Sequence, residues 1–267
     1  MAATELHLPG GVCIAPDTEE LFEHMGRALM ASAFRAVDER GAFHLALSGG
    51  GTPEPFYMRL MVDPLFRGIP WQQTHLWIVD ERRVPPTDDK SNWKMIRECL
   101  ADHVPMSARQ KHPMPVMDRD PAEAYEAELA EVFELAGGPG VGSIPRMDVV
   151  LLGMGGDAHT ASLFPESDAI GVADRWIVVN AGPSVTPPDR VTMTYPLINA
   201  AREVMPLVVG GGKAATIRRI SDQLATGEVD RVLLPITGVD PQRFVPAGLD
   251  GEPGTMTWFM DKAAAGG

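Results

Sequence analysis

The sequence predicts an α/β fold, an open, doubly wound, mostly parallel sheet with helices on both faces. Three observations carry this. Short apolar runs alternate along the chain with segments of helical periodicity. Several runs, Val149-Val150-Leu151-Leu152 above all, are continuous rather than alternating in polarity, as strands buried on both faces should be. The runs then stop at glycine-rich or charged turns, where a strand can hand over to a crossover helix.

Each element has a local reason. Gly11 to Ala15 reads as a short strand, and Pro16-Asp17-Thr18 opens a helix with Asp17 or Thr18 as its N-cap. Leu21, Phe22, Met25, Ala28, Leu29, Ala33 and Ala36 follow at mostly three- and four-residue spacing, and Gly41 ends that helix. Phe43 to Leu47 is a strand broken by Ser48-Gly49-Gly50-Gly51-Thr52. Pro53 suits the first turn of the next helix, where a missing N–H costs nothing. Leu76 to Val79 is a strand that runs into Asp80-Glu81-Arg82-Arg83. Helices are expected from Trp93 to Leu100, capped by Ser91 or Asn92, and from Pro121 to Ala136. Residues 137–145 read as a flexible connector inside one domain spanning 1–267. Strands follow at Val149–Leu152, Trp176–Val179, Val191–Thr194 and Val204–Val209. A helix from Lys213 to Ala225 and a last strand at Thr255–Met260 complete the chain.

Composition narrows the function. The formal charge of −13 and pI near 4.9 argue against a nucleic-acid backbone or an anionic membrane as the main partner, since both repel a net anion. A small anion remains compatible if basic side chains gather in one pocket. The two cysteines, Cys13 and Cys99, lie in no CxxC or His/Cys cluster. The N-terminus lacks a basic and apolar leader pattern, and no run of about 18 apolar residues is present, so a cytoplasmic location is expected.

Four strand ends carry the chemistry, because loops at one edge of a parallel sheet converge on one crevice. Ser48 to Thr52 is a glycine-rich turn into a helix, suited to an anion or to a tight turn alone. Asp80 to Arg83 sets two arginines beside two carboxylates, a pocket wall or a solvated cluster. Gly210-Gly211-Gly212-Lys213 is not a Walker A loop: Leu207 stands where its first glycine should be, and Ala214 where its Ser or Thr should be. Lys213 is better read as a point charge for a phosphate or carboxylate. Gly153-Met154-Gly155-Gly156-Asp157-Ala158 fits a dinucleotide pattern, but Pro165 comes too soon for the helix that should follow. Asp174 also precedes the next strand instead of closing it. What stays distinctive in that stretch is Asp157 and His159, a carboxylate and an imidazole just past a buried strand. Imidazole exchanges protons near neutral pH, although a loop-bracing histidine would look the same from local features.

Taken together, LSGGGTP (47–53), VDERRVP with SN (79–85 and 91–92), LLGMGGDAHTASLFP (151–165), RVTMTYPLIN (190–199), GGGKA (210–214) and TWFMDKAA (257–264) resemble the 6-phosphogluconolactonases. The resemblance covers nearly the whole chain. It implies a fold related to the glucosamine-6-phosphate deaminases, hydrolysis of a phosphosugar lactone in the oxidative pentose phosphate route, and no metal or organic cofactor. It makes His159 the general base and Asp157 its companion. Substrate contacts are implied for Ser48, Gly49, Gly50, Gly51, Thr52, Asp80, Arg82, Arg190 and Lys213, with Arg82 and Lys213 on the phosphate. The implied partner is a small phosphosugar lactone, on a monomer or small homo-oligomer that binds neither nucleic acid nor membrane.

Two positions depart from the family pattern. Gly51 replaces a serine, and Ala158 replaces a glycine; a methyl there is expected to exclude any backbone geometry that strictly needs glycine. An isomerase or deaminase on the same fold is disfavoured by Asp80-Glu81-Arg82 and HTASLFP, where those enzymes carry Asp-Glu-Tyr and HIAFNEP-like residues. A non-catalytic sugar-phosphate sensor is disfavoured by the retained Asp157 and His159 and by the lack of a basic helix-turn-helix segment.

Overall fold

The computed structural model describes residues 6–139, 143–182, 185–244 and 252–267. Residues 140–142 of the expected connector lie outside them. In chain order the main elements are β1 (Gly11–Ala15), α1 (Thr18–Arg40), β2 (Phe43–Leu47), α2 (Glu54–Val62), β3 (Thr74–Ile78), β4 (Asp80–Arg82), α3 (Asn92–Ile96) and β5 (Lys111–His112). They continue with α4 (Pro121–Val132), β6 (Val149–Gly153), β7 (Ile177–Ala181), β8 (Asp189–Met193), α5 (Tyr195–Asn199), β9 (Glu203–Val208), α6 (Ala214–Thr226) and β10 (Thr255–Asp261).

Seven strands form one sheet in the order β1-β10-β9-β6-β2-β3-β5, and every pairing in it is parallel. Its centre is covered on both sides. Neighbouring strand residues point to opposite faces, yet Val149, Val150, Leu151 and Leu152 all have 0% exposure. Helix α1 is set by its ends and its stripe. Asp17 caps it by accepting from Glu20 N–H at 2.9 Å, and Gly41 closes it in the left-handed region. Leu21, Met25, Leu29 and Ala33 are buried on one face. Asp17→Ala should cost about 1 kcal/mol, read as a lower urea midpoint with an unchanged slope.

The chain runs from β2 outward through β3 to β5, then returns to β6 on the other side of β2 and proceeds to β9 and β10. The crevice beyond the carboxyl ends of β2 and β6 is therefore a topological switch point, where open α/β sheets bind ligands.

Four expectations need correction. A second sheet is present: β4, β8 and β7 pair antiparallel in the order β4-β8-β7, apart from the main sheet. Asp80 to Arg82, expected as a strand-end loop, is thus itself a strand, because the backbone of β8 supplies its partners. The helix expected to run to Ala136 stops at Val132, and Glu134 takes a positive φ of 52°. Phe133 there turns inward and lies 4.3 Å, centroid to centroid, from the His44 ring. Finally, Pro53 is the N-cap residue of α2, and Pro55 occupies the first turn.

Candidate active site

A cleft of about 470 Å³ opens at the switch point. Ser48, Gly49, Gly50, Gly51, Thr52, Asp80, Arg82, His159, Arg190 and Lys213 all line it. Asp157 does not. It stands behind His159, its Oδ1 2.6 Å from His159 Nδ1 and 3.1 Å from the His159 backbone N–H. A carboxylate can only accept here, so Nδ1 carries the proton and Nε2 is left as the basic nitrogen. Burial alone would push the Asp157 carboxyl up, but the His159 charge and hydrogen bonds outweigh it and hold the carboxyl below its usual range.

The loop after β6 is shaped around this pair. Gly155 N–H donates to the His159 carbonyl at 2.8 Å, and Ala158 N–H donates to the Gly155 carbonyl. A Cβ on Gly155 would sit 2.1 Å from His159 Nδ1 and 2.4 Å from Asp157 Oδ1, so glycine is required for the imidazole to lie where it does. Gly155→Ala should therefore cut turnover by about a hundredfold, the scale of a misplaced catalytic group, with little change in melting temperature. Ala158 has a φ of 68°, so the loop takes a conformation there that favours glycine without strictly needing it. The left-handed region is costly for alanine, by about 1–2 kcal/mol, but not closed to it.

The same cleft also holds three cations. Arg82 of β4 and Arg190 of β8 face each other directly in the antiparallel register. Like charges placed opposite repel. Burial, then the neighbouring Arg82, lowers the pKa of Arg190. Arg82 is held by donating to the Lys90 carbonyl, and Arg190 by donating to the Pro187 carbonyl. Among the described residues neither arginine, nor Lys213, has a carboxylate partner, and the buried Nε of Arg82 has no hydrogen-bond partner. Lys213 enters from the short turn Gly211–Lys213 before α6. Three cations without a salt-bridge partner in one cleft form a site for a compact anion such as a phosphate, with the Asp80 carboxylate nearby offsetting part of their charge.

The second charged segment divides by role. Glu81 is buried and accepts from Ser91 Oγ and from the N–H groups of Arg82, Asn92 and Trp93. It ties β4 to the start of α3 and does not reach the cleft. Burial raises its pKa despite those donors. Arg83 turns away to the carbonyls of Val116 and Asp118. Asp80 Oδ2 accepts from Ser162 Oγ at 2.7 Å, which joins the two sides of the site.

Sequence reasoning did not single out Asn92, Ser162 or Phe164, all of which line the cleft. Phe164 lies 5.1 Å from the His159 ring and under the Arg190 guanidinium at 6.0 Å. The signal available for Asn92 was its place in the SN pair, which the sequence offers as a helix cap and as a mark of the family resemblance but not as a substrate contact. Among the described residues, no group of three or more His, Cys, Asp or Glu side chains is placed to hold a metal ion. No helix there is long and apolar enough to cross a membrane.

Residues 16–247 match the family described as glucosamine-6-phosphate isomerases/6-phosphogluconolactonase. The chain belongs to this family. A 6-phosphogluconolactonase of Synechocystis sp. is 40% identical over 233 residues, covering 86% of each chain. One of Nostoc sp. is 36% identical over 254 residues, covering 94% of this chain and 95% of its own. The human GDH/6PGL endoplasmic bifunctional protein is 36% identical over 244 residues; the match spans 91% of this chain but 29% of that protein. A crystal structure of 6-phosphogluconolactonase from Leishmania guyanensis superposes with a TM-score of 0.77 at 26% identity, covering 97% of this chain and 99% of that one. A monomeric glucosamine-6-phosphate deaminase superposes with a TM-score of 0.71 at 19% identity, a likeness of fold alone.

Proposed function

We propose that this family member hydrolyses 6-phospho-D-glucono-1,5-lactone to 6-phospho-D-gluconate, acting as one domain. The observation that supports it best is a single cleft lined both by His159, backed by Asp157, and by Arg82, Arg190 and Lys213, which have no carboxylate partner among the described residues. The lactonase names of its relatives favour the same reaction.

In this mechanism the phosphate is held by Arg82 and Lys213, with Arg190 beside them. His159 Nε2 takes a proton from water, and the oxygen attacks the lactone carbonyl. Asp157 steadies the imidazolium that forms, as a carboxylate behind a catalytic histidine does. The negative charge on the carbonyl oxygen needs donors. Among the described residues the N–H groups of Gly49, Gly50 and Gly51 make no hydrogen bond within the protein, so they are available to it. His159 then gives its proton to the ring oxygen as the carbonyl carbon–oxygen bond breaks. One water is consumed, and the open-chain acid is the product.

The phosphate assignment is tested by comparing the phosphorylated lactone with D-glucono-1,5-lactone. The wild-type protein should prefer the phosphorylated form by at least a hundredfold in kcat/KM, and Arg82→Ala or Lys213→Ala should shrink that preference about tenfold or more. Equal turnover of both lactones would remove the phosphate from the reading.

A further inference from the structure

Asn92 is buried, 2% exposed, at the first position of α3, and it lines the cleft. Its amide orientation is fixed by chemistry. The side-chain nitrogen donates to the Asp80 carbonyl at 2.7 Å, and a carbonyl cannot donate in return. The other end, Oδ1, is buried with no hydrogen-bond partner. That end lies against Gly49, where a Cβ would come within 1.9 Å of Oδ1, so the missing side chain is what gives the amide oxygen its place beside the glycine loop. Ser48 Oγ, on the same loop, is also buried without a partner. Asp80, whose Oδ2 accepts from Ser162, lines the cleft next to them. A buried acceptor with no donor is costly, and such groups in native proteins call for a ligand or a bound water.

We infer that Asn92 is a specificity-determining residue: its Oδ1, with Ser48 Oγ and Asp80, accepts hydrogen bonds from ring hydroxyls of the sugar while Arg82 and Lys213 hold the phosphate. The inference rests on the lactonase reading and adds to it. Cations answer for the phosphate, and His159 for the carbonyl. The acceptors Asn92 Oδ1, Ser48 Oγ and Asp80 answer for the hydroxyls, which donate to them. A site of this kind rejects an analogue lacking the hydroxyl, because its buried acceptors are then left unpaired.

The test uses the parent 6-phosphogluconolactone and its 2-, 3- and 4-deoxy analogues, each made fresh from the corresponding sugar 6-phosphate. The wild-type enzyme should turn over the parent and reject at least one deoxy analogue by about ten- to a hundredfold in kcat/KM. Asn92→Ala should lose a similar factor on the parent, chiefly in KM, and lose little on that analogue, so discrimination collapses. Asn92→Ser, which keeps a donor toward the Asp80 carbonyl, serves if the alanine variant fails to fold. A merely structural role predicts a uniform loss on all four substrates. That result, or equal wild-type turnover of all four, overturns the inference and leaves the lactonase reading standing. A wild-type protein that turns over none of them overturns both.

Discussion

His159→Ala should lower kcat on 6-phosphogluconolactone by about a hundred- to ten-thousandfold, the usual worth of a positioned general base. KM should move far less, because in this mechanism Arg82 and Lys213, not His159, hold the phosphate. The fold should survive. The side chain is 29% exposed at the cleft, and among the described residues its one side-chain hydrogen bond is to Asp157. Asp157→Asn should cost less, tenfold or more, because an asparagine cannot hold the Nδ1 proton and steady an imidazolium in the same way. Single-turnover kinetics on purified variants, with melting temperatures as a control, measure both. Near-full activity in His159→Ala would remove the histidine from the mechanism.

The second large effect concerns stability and lies far from the cleft. His44 stacks on His75 at 4.8 Å, and Trp77 Nε1–H donates to His44 Nδ1 at 3.2 Å. His75 Nδ1 lies 2.9 Å from His112 Nε2, and His112 Nδ1 lies 2.6 Å from Glu128 Oε1. Burial, then His75, His112 and Arg40, pushes the pKa of His44 down to about 3. Burial and His112 lower that of His75. A histidine depressed in the fold is protonated first in the unfolded chain, near pH 6.5. Below that pH the unfolded state binds more protons, so stability falls as the pH falls, until the folded group titrates near 3. Glu81, Asp148 and Glu203, with pKa values raised by burial, act in the opposite sense over part of the range. A difference measurement isolates the histidine. His44→Gln keeps an acceptor for Trp77 and cannot be protonated. Relative to the wild type it should gain about 3 kcal/mol between pH 6.5 and pH 4, from urea unfolding at each pH. Parallel stability curves for the two proteins would show that His44 does not titrate in this way.

The sequence made some of this visible and hid the rest for physical reasons. β1 and β2 were read to the residue and β6 and β10 to within one, because an apolar run bounded by glycine or a turn is a local signal. β4 was missed because Asp80-Glu81-Arg82 has no apolar run; it is a strand only through pairing with β8, over a hundred residues away. The same pairing sets Arg82 opposite Arg190, two arginines that no spacing rule connects. Asp157 and His159 were legible as a pair because they are two residues apart on one loop. Asn92 was not, since its role depends on the unpartnered end of its amide and on what Gly49 lacks.

The central claim is that this cleft opens a phosphosugar lactone. The most direct measurement is the appearance of 6-phosphogluconate from freshly made 6-phosphoglucono-1,5-lactone, followed with a coupled assay and corrected for spontaneous hydrolysis. The wild-type protein should accelerate ring opening in proportion to its concentration, and His159→Ala should return the rate close to the uncatalysed one. A wild-type rate no faster than spontaneous hydrolysis, together with tight binding of 6-phosphogluconate, would contradict the account and make the cleft a binding site without chemistry.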